Sequence, residues 1–512
     1  MSLLENKLKV IQYYLPALLA GAIAPLSLSP VNFWPAAFIS IFVLLLTLDK
    51  TTAPQAAKLG WMFGLGFFGV GASWVYVSIN IYGNASGIFA AFLTLLFVGA
   101  LALLFALQCW LYQRYFSGQQ PALGFAACWV LFEWLRSWLL TGFPWLYLGY
   151  AHINTLLANL APVLGVLGIS FAVVLLSGML YEMFLIWRKE KLWMSRQLIK
   201  YEIMFILLGL SLFYLTSLSW VEEDTNRSAE IALVQANIDQ NLKFDPAFIG
   251  EGLNLYNGLS APLWQNDIVI WPETAIPLLY QRAEAELAYF RQLADENNSS
   301  LVTGILYRED NNIYNSITAL GNGSGIYHKQ KLVPFGEYVP FSNIMKTVLR
   351  LFELPLSSLS AGPDNQALLQ ASGFSFASYI CYEVVYPDFV RKQAHQADFL
   401  VTISNDTWFG ASFGPLQHLQ MAAMRALENG RYMIRATSNG VTAFINEKGK
   451  IVNQAEQFEI ATLQSTVPVF QGRTPFSYWG SWPIVLFSFL VLILIFGFKQ
   501  MKTKPEEKLN NV

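Results

Sequence analysis

The chain alternates between long stretches without a charged side chain and one block where charge returns. Residues 10–48, 59–113, 115–132, 137–181, 203–220 and 474–498 contain no Asp, Glu, Lys or Arg. A helix that crosses a bilayer needs about 20 predominantly apolar residues, because it spans about 30 Å of hydrocarbon at 1.5 Å per residue. The stretches accommodate eight such helices, at 10–28, 31–48, 59–80, 88–112, 122–140, 162–187, 203–220 and 481–498. Seven of them precede the block 221–473 and one follows it.

Inside that block the pattern changes. "AEIALVQANI" (229–238), "DIVIWPE" (267–273), "SSLVTGILY" (299–307), "SFASYICYE" (375–383) and "DFLVTISND" (398–406) read as buried strands that end in polar residues. "AEAELAYFRQLADENN" (283–298) and "PLQHLQMAAMRALENGRYM" (415–433) carry helical periodicity. Strands alternating with helices predict a layered α/β domain, with chemistry at strand ends and in the loops that follow them. The expected organisation is a transmembrane domain at 1–220, an α/β catalytic domain at 221–473, and a last span with its tail at 474–512.

Composition and charge placement sharpen this picture. The chain is 54% hydrophobic, 15% aromatic and 13% charged, against about 25% charged in ordinary soluble proteins. A formal net charge of −2 provides no basic field for nucleic acid, so no such partner is expected. Lys7, Lys9, Lys50, Lys58, Arg114, Arg188, Lys189, Lys191, Arg196, Lys200, Lys499, Lys502 and Lys504 all fall on one side of an eight-span arrangement. The opposite connections, "NIYGNAS" (80–86) and "TGFPWLYLGYAHINTLLANL" (141–160), are uncharged. Positive residues stay inside, which puts both termini in the cytoplasm and 221–473 outside. The first span is not read as a cleaved signal peptide, because "LSLSP" (26–30) lacks an A-x-A site and a second span follows directly.

Of the three cysteines, Cys109 and Cys128 lie in apolar spans, where cysteine is usually a small packing residue. Cys381 is alone in the outward block and has no disulfide partner there. It closes an apolar run and is followed by Tyr382 and Glu383. Two other apolar runs also end in charge. Glu273 follows "IVIWP", and Lys329, Lys331 and Glu337 surround Pro334 and Gly336 in "YHKQKLVPFGEYVP" (327–340). A thiol with an ordinary pKa of about 8.5 must lose its proton to attack a carbonyl. A carboxylate can take that proton, and an ammonium can stabilise the oxyanion that forms next. On composition alone, Cys381 reads equally as a buried strand cysteine.

"WPE", "HKQKLVPFGEYVP" and "ICYE", in this order, resemble the nitrilase superfamily with its Glu–Lys–Cys triad. "MRALENGRYMIRATSNG" (424–440) resembles the helix–strand segment of that superfamily. Over nearly its full length the chain is similar to the apolipoprotein N-acyltransferase family of Gram-negative bacteria, through its span pattern and through "WVYVSI" (74–79), "LTGFPWLYLGY" (140–150), "LVTISNDTWFG" (400–410) and "GPLQHLQMAAMRALE" (414–428). The resemblance implies a polytopic α-helical membrane domain of eight spans in the bacterial inner membrane, with an inserted periplasmic nitrilase-like α-β-β-α sandwich.

It further implies Cys381 as nucleophile, Glu273 as general base and Lys329 as their electrophilic partner. Glu337 would position Lys329 and relay protons, Glu383 would hold the site beside Tyr382, and Asn315 in "YNSI" would orient site loops. In "NLKFDPA", Phe244 stands where the best-known members carry tryptophan. An aromatic lipid contact is carried over there, and a role needing an indole is not. The implied reaction moves an acyl chain from a phospholipid, phosphatidylethanolamine by preference, through a cysteine thioester to the N-terminal amine of a diacylglyceryl apolipoprotein. No cofactor is implied. The aromatic segments "TGFPWLYLGY" and "TPFSYWGSW" (474–482) suit a lipid interface.

Other residues read more plainly. His418 on a helical face is expected to be structural, and Lys331 a solvated neighbour. None of the four histidines, His328 included, stands at metal-ligand spacing, so no metal is expected. No glycine-rich phosphate loop precedes a helix. Glu133 and Arg136 share one face of the fifth span; they suit an ion pair and a lipid-headgroup contact equally. Two further functions use the same features: a membrane-anchored amidase that delivers the acyl group to water, and a lipid-binding protein without catalysis. Seven preceding spans exceed what an anchor needs.

Overall fold

The computed structural model describes residues 3–118, 120–191, 196–339 and 359–509. The chain divides into two units: a helical one of residues up to Tyr76, Ser86–Leu218 and from Trp479 onward, and an α/β one of Val77–Ala85 and Ser219–Tyr478.

In the helical unit a helix stands at each of the eight expected positions. Gly87–Phe116, Leu156–Glu190, Gln197–Thr216 and Trp482–Met501 are individually long and apolar enough to cross a membrane. Ala53–Gly71 and Trp74–Tyr82 meet at a 57° bend and make a fifth if they form one broken span. Pro35–Leu48 has 14 residues and Pro121–Arg136 has 16, about 21 and 24 Å at 1.5 Å per residue. Among the described residues, length and composition thus single out four or five crossings. The charge-free stretches suggest more because they also contain residues outside the helices, such as Ser137 and Trp138 after Pro121–Arg136. Small residues let these helices touch: a Cβ added to Gly21 would lie 1.9 Å from the Phe63 carbonyl oxygen.

The α/β unit is a four-layer sandwich. One sheet runs in the order Ala461–Gly472, Val221–Gln235, Ile268–Ile270, Ser300–Glu309, Asn312–Gly321 and Ile326–His328, with Ile276–Leu279 also paired to Ser300–Glu309. The second runs Ile451–Gln454, Ala443–Ile445, Met433–Thr437, Phe399–Ser404, Phe374–Ile380, Leu369–Ala371 and Gly323–Ser324. The period-two alternation of a strand explains the layering. Ile231, Leu233, Ile268 and Ile270 meet Phe376, Ile380, Phe399 and Val401 between the sheets. Their neighbours Val234, Val269 and Trp271 face outward onto Leu253 and Tyr256 of helix Ile249–Ser260 and Phe290 of helix Glu284–Glu296.

The middle strands of both sheets are parallel, so their carboxyl ends deliver the following residues to one rim, where α/β folds hold their ligands. The helix expected over 415–433 ends at Asn429. Gly430 closes it with φ +61°, and a strand starts at Met433. The short connection Val77–Ala85 belongs to this unit, although the sequence reading gave it to the membrane domain. Ser78 Oγ donates to the Trp408 carbonyl at 2.7 Å, and Tyr82 meets the Trp408 ring edge-on.

Candidate active site

Glu273 lies three residues beyond strand Ile268–Ile270, on a loop pressed against Gly304. A Cβ at Gly304 would come within 2.2 Å of the Thr274 amide, so only glycine admits this loop. The carboxylate is held from both sheets. Asn315 Nδ2 donates to Oε1 at 2.7 Å, and the Asn405 amide donates to Oε2 at 2.7 Å. Both asparagines sit in or directly after strands, so the base candidate is fixed by the rigid part of the fold.

Lys329 directly follows strand Ile326–His328 and is buried. Its Nζ lies 2.8 Å from Glu337 Oε1 and 3.5 Å from Glu273 Oε1. Asn315 also reaches Glu337 Oε1, at 3.3 Å, and accepts the Lys329 amide with its carbonyl at 2.8 Å. Glu337 is held in turn by the Val333 amide at 2.8 Å. Burial lowers the lysine pKa, and the charges of Glu337 and Glu273 more than offset it, so the pKa lies above the ordinary value. The site therefore holds a charged ammonium between two carboxylates.

Cys381 ends strand Phe374–Ile380 at the start of a short 3-10 turn. Its φ is +51°, a left-handed conformation that costs a residue with a side chain about 1–2 kcal/mol. Such strain persists where the surroundings over-determine it and is common at reactive positions. The residue keeps some exposure, but burial of its thiol pushes the pKa up to about 12. The Glu273 charge adds to the rise, and Lys329 opposes it. The resting thiol is therefore protonated and needs a base at the moment of attack.

Glu383, two residues on, is buried and ties the site together. Its Oε1 accepts the Gln330 amide at 2.7 Å, the Lys331 amide at 3.1 Å and the Tyr327 hydroxyl at 2.9 Å; its Oε2 accepts the Ile380 amide at 2.7 Å. Tyr382 is buried edge-on to Tyr386. Phe244 is 48% exposed, and the neighbouring Lys243 reaches inward instead. Lys243 was not singled out from the sequence. It is buried, its Nζ donates to the Glu273 carbonyl at 2.8 Å, and burial lowers its pKa to about 8 against the pull of Glu273 and Cys381. The only sequence signal for it was a lysine flanked by Leu242 and Phe244.

Other candidates fall elsewhere. His328 bonds Ser316 Oγ at 2.8 Å and lies tilted against the Tyr314 ring, a structural arrangement. The Lys331 ammonium lies over the Tyr386 and Phe389 rings. Glu133 accepts the Trp129 indole at 2.9 Å and the Leu148 amide at 3.1 Å, while the Arg136 guanidinium lies over Phe68 and Tyr147. His418 is not remote from the chemistry: its Nε2 lies 3.1 Å from the Cys381 carbonyl oxygen.

A Glu, Lys and Cys at one rim of an α-β-β-α sandwich define a carbon–nitrogen hydrolase domain, and residues 230–472 match the family described as carbon-nitrogen hydrolase. Residues 20–179 match the apolipoprotein N-acyltransferase N-terminal domain. An apolipoprotein N-acyltransferase of Pseudomonas syringae pv. tomato is 43% identical over 494 residues, which cover 94% of this chain and 95% of that protein. Those of Pseudomonas putida (45% over 484 residues, 93% and 95% covered) and Photobacterium profundum (40% over 489 residues, 93% of each) are similar along the same length. The chain belongs to the apolipoprotein N-acyltransferase family and is an acyltransferase with a carbon–nitrogen hydrolase catalytic domain.

Proposed function

We propose that this enzyme transfers an acyl chain from a phospholipid, phosphatidylethanolamine by preference, to the α-amine of a diacylglyceryl-cysteine at an apolipoprotein N-terminus. The observation that carries the mechanism is the buried Lys329 ammonium, clamped by Glu337 and Glu273 in the electrostatic reach of Cys381. In the first half-reaction Glu273 takes the thiol proton as Sγ bonds to the acyl ester carbonyl, and Lys329 stabilises the tetrahedral oxyanion. Collapse breaks the C–O bond, and the glycerol oxygen leaves with the proton from Glu273 as lysophospholipid. In the second, the lipoprotein amine attacks the thioester, Glu273 removes its proton, and Cys381 departs and is reprotonated as the amide forms. Glu337 keeps Lys329 in place, Asn315 orients both carboxylates, Glu383 and Tyr382 hold the turn, and Phe244 offers a lipid contact.

Both substrates are lipids, so the reading includes an eight-span, multi-pass inner-membrane protein with a periplasmic catalytic domain and cytoplasmic termini. Its supports are the apolar helices, the one-sided Lys and Arg, and the family membership. The test is mass spectrometry of the purified protein after incubation with phosphatidylethanolamine alone. The expected result is one acyl chain on Cys381 together with lysophospholipid, and an adduct discharged by an amine lipopeptide faster than by water. Discharge by water at the same rate would favour an amidase, and absence of both adduct and lysophospholipid would remove the donor assignment.

A further inference from the structure

Helix Gly414–Asn429 carries His418, which is fully buried behind the turn of the nucleophile. Its Nε2 lies 3.1 Å from the Cys381 carbonyl oxygen. On the other side, Nδ1 lies 3.1 Å from an Arg435 terminal nitrogen and 3.1 Å from Asp406 Oδ1. A carbonyl oxygen only accepts, so Nε2 carries a hydrogen, while Nδ1 faces both a donor, Arg435, and an acceptor, Asp406 Oδ1. Asp406 is paired with Arg435 through one oxygen, and its other oxygen takes the Ser404 hydroxyl at 2.6 Å. Burial and the Arg435 charge lower the imidazole pKa, against the pull of Asp406 and of the Cys381 carbonyl. The ring is held by two other strands: Asp406 follows Phe399–Ser404, and Arg435 lies on Met433–Thr437.

We infer that His418 is a positioning residue for the nucleophile, which by its hydrogen bond to the Cys381 carbonyl holds Cys381 in the left-handed backbone conformation that aims its thiol. The inference rests on the reading of Cys381 as the nucleophile. A residue with a side chain leaves φ +51° when free to do so. Rotation to negative φ would swing the Cα–Cβ bond and carry Sγ away from Glu273 and Lys329. A carbonyl anchored to a locked ring opposes that rotation. The ring is not the base for the thiol, since its Nε2 is engaged by the carbonyl and its Nδ1 by Arg435.

The experiment follows two rates on the purified full chain: acylation of Cys381 by phosphatidylethanolamine in detergent micelles, and alkylation of Cys381 by iodoacetamide as a function of pH. His418→Gln keeps an N–H donor at the reach of Nε2, and His418→Asn is too short to do so. His418→Leu fills similar space with no donor and repeats the Asn test should that variant fail to fold. The Asn and Leu variants are expected to acylate roughly 10²-fold more slowly, as misplaced reacting groups do, while Gln stays within about tenfold of the wild type. The alkylation profile should move in pH in the Asn and Leu variants and stay at its wild-type position in Gln, because a thiol carried away from Glu273 and Lys329 no longer feels the charges that set its ionisation. Wild-type acylation in the Asn and Leu variants, equal loss in Gln, or an unmoved alkylation profile in the Asn and Leu variants would overturn the inference. A wild-type protein without an adduct, or a wild-type rate in Cys381→Ser, would instead overturn the reading of Cys381 as nucleophile.

Discussion

The carboxylate of Glu383 accepts the backbone amide of Gln330 at 2.7 Å, so the residue two after Cys381 holds the residue one after Lys329. The same side chain takes the Ile380 amide just before Cys381. One buried carboxylate therefore sets the spacing between the two strand-end segments that carry Cys381 and Lys329. Its removal leaves several buried donors unsatisfied, at about 1–3 kcal/mol each.

Glu383→Ala is accordingly expected to abolish acyl-adduct formation and to lower the melting temperature of the detergent-solubilised protein. Burial lifts the Glu383 pKa from 4.5 to about 7, in spite of its amide donors. A carboxyl whose folded pKa is raised binds its proton more tightly in the folded state. Its contribution to stability is full below about 4.5 and is lost as pH rises through about 7. Glu383→Gln should lose that pH dependence of melting between those values; an unchanged profile would assign the titration to another group.

Covalent catalysis predicts that Cys381→Ser forms no acyl adduct and loses lipoprotein N-acylation, because an alkoxide is far harder to generate at neutral pH than a thiolate. Cys109→Ala and Cys128→Ala change buried positions of the helical unit and should keep most activity. Time courses of adduct mass and of lipopeptide acylation check both.

The charged pair makes different demands. Lys329→Ala removes the proposed oxyanion partner and should slow acylation by roughly 10²–10³. It also leaves Glu273 and Glu337 facing each other without their cation, so the variant should melt earlier as well. Glu337→Gln keeps the lysine and should lose less. A Lys329→Ala protein acylated at the wild-type rate would remove the lysine from the mechanism.

Glu273 has two opposed effects on the thiol. Its charge helps to raise the Cys381 pKa toward about 12, yet it is the proposed base. Glu273→Gln should therefore shift iodoacetamide alkylation of Cys381 to lower pH, since the thiolate is easier to form without a neighbouring anion. The same variant should fail to form the acyl adduct. Alkylation that shifts upward in pH would contradict the electrostatics described for this site.

The topology is testable by reporters. A fusion after Lys508 should report the cytoplasm, and an insertion near Asn322 the periplasm. Both reporters on one side would refute an odd number of crossings between them.

How much of this was legible beforehand depends on the range of the interaction. Strand and helix periodicity, charge-free stretches and the order of "WPE", "HKQKL" and "ICYE" are local patterns. They located five of the strands, two helices of the α/β unit, and Glu273, Lys329, Cys381 and Glu337 as candidates; strands Asn312–Gly321 and Ala461–Gly472 and helix Ile249–Ser260 were not among them. Crossing length was less legible, because an uncharged stretch does not show where its helices start and stop, as the 14 residues of Pro35–Leu48 within the charge-free 10–48 illustrate. The inward turn of Lys243, the Asn405 amide on Glu273, and His418 behind Cys381 were not readable at all. Each pairs residues 30 or more positions apart; the Asn405 contact arises only when the two sheets pack face to face, and the other two only when neighbouring parallel strands bring their carboxyl ends to one rim. The sequence by itself determined which side chains could do chemistry; the tertiary structure decided which of them meet, because distance in space is set by the packing of layers and not by spacing along the chain.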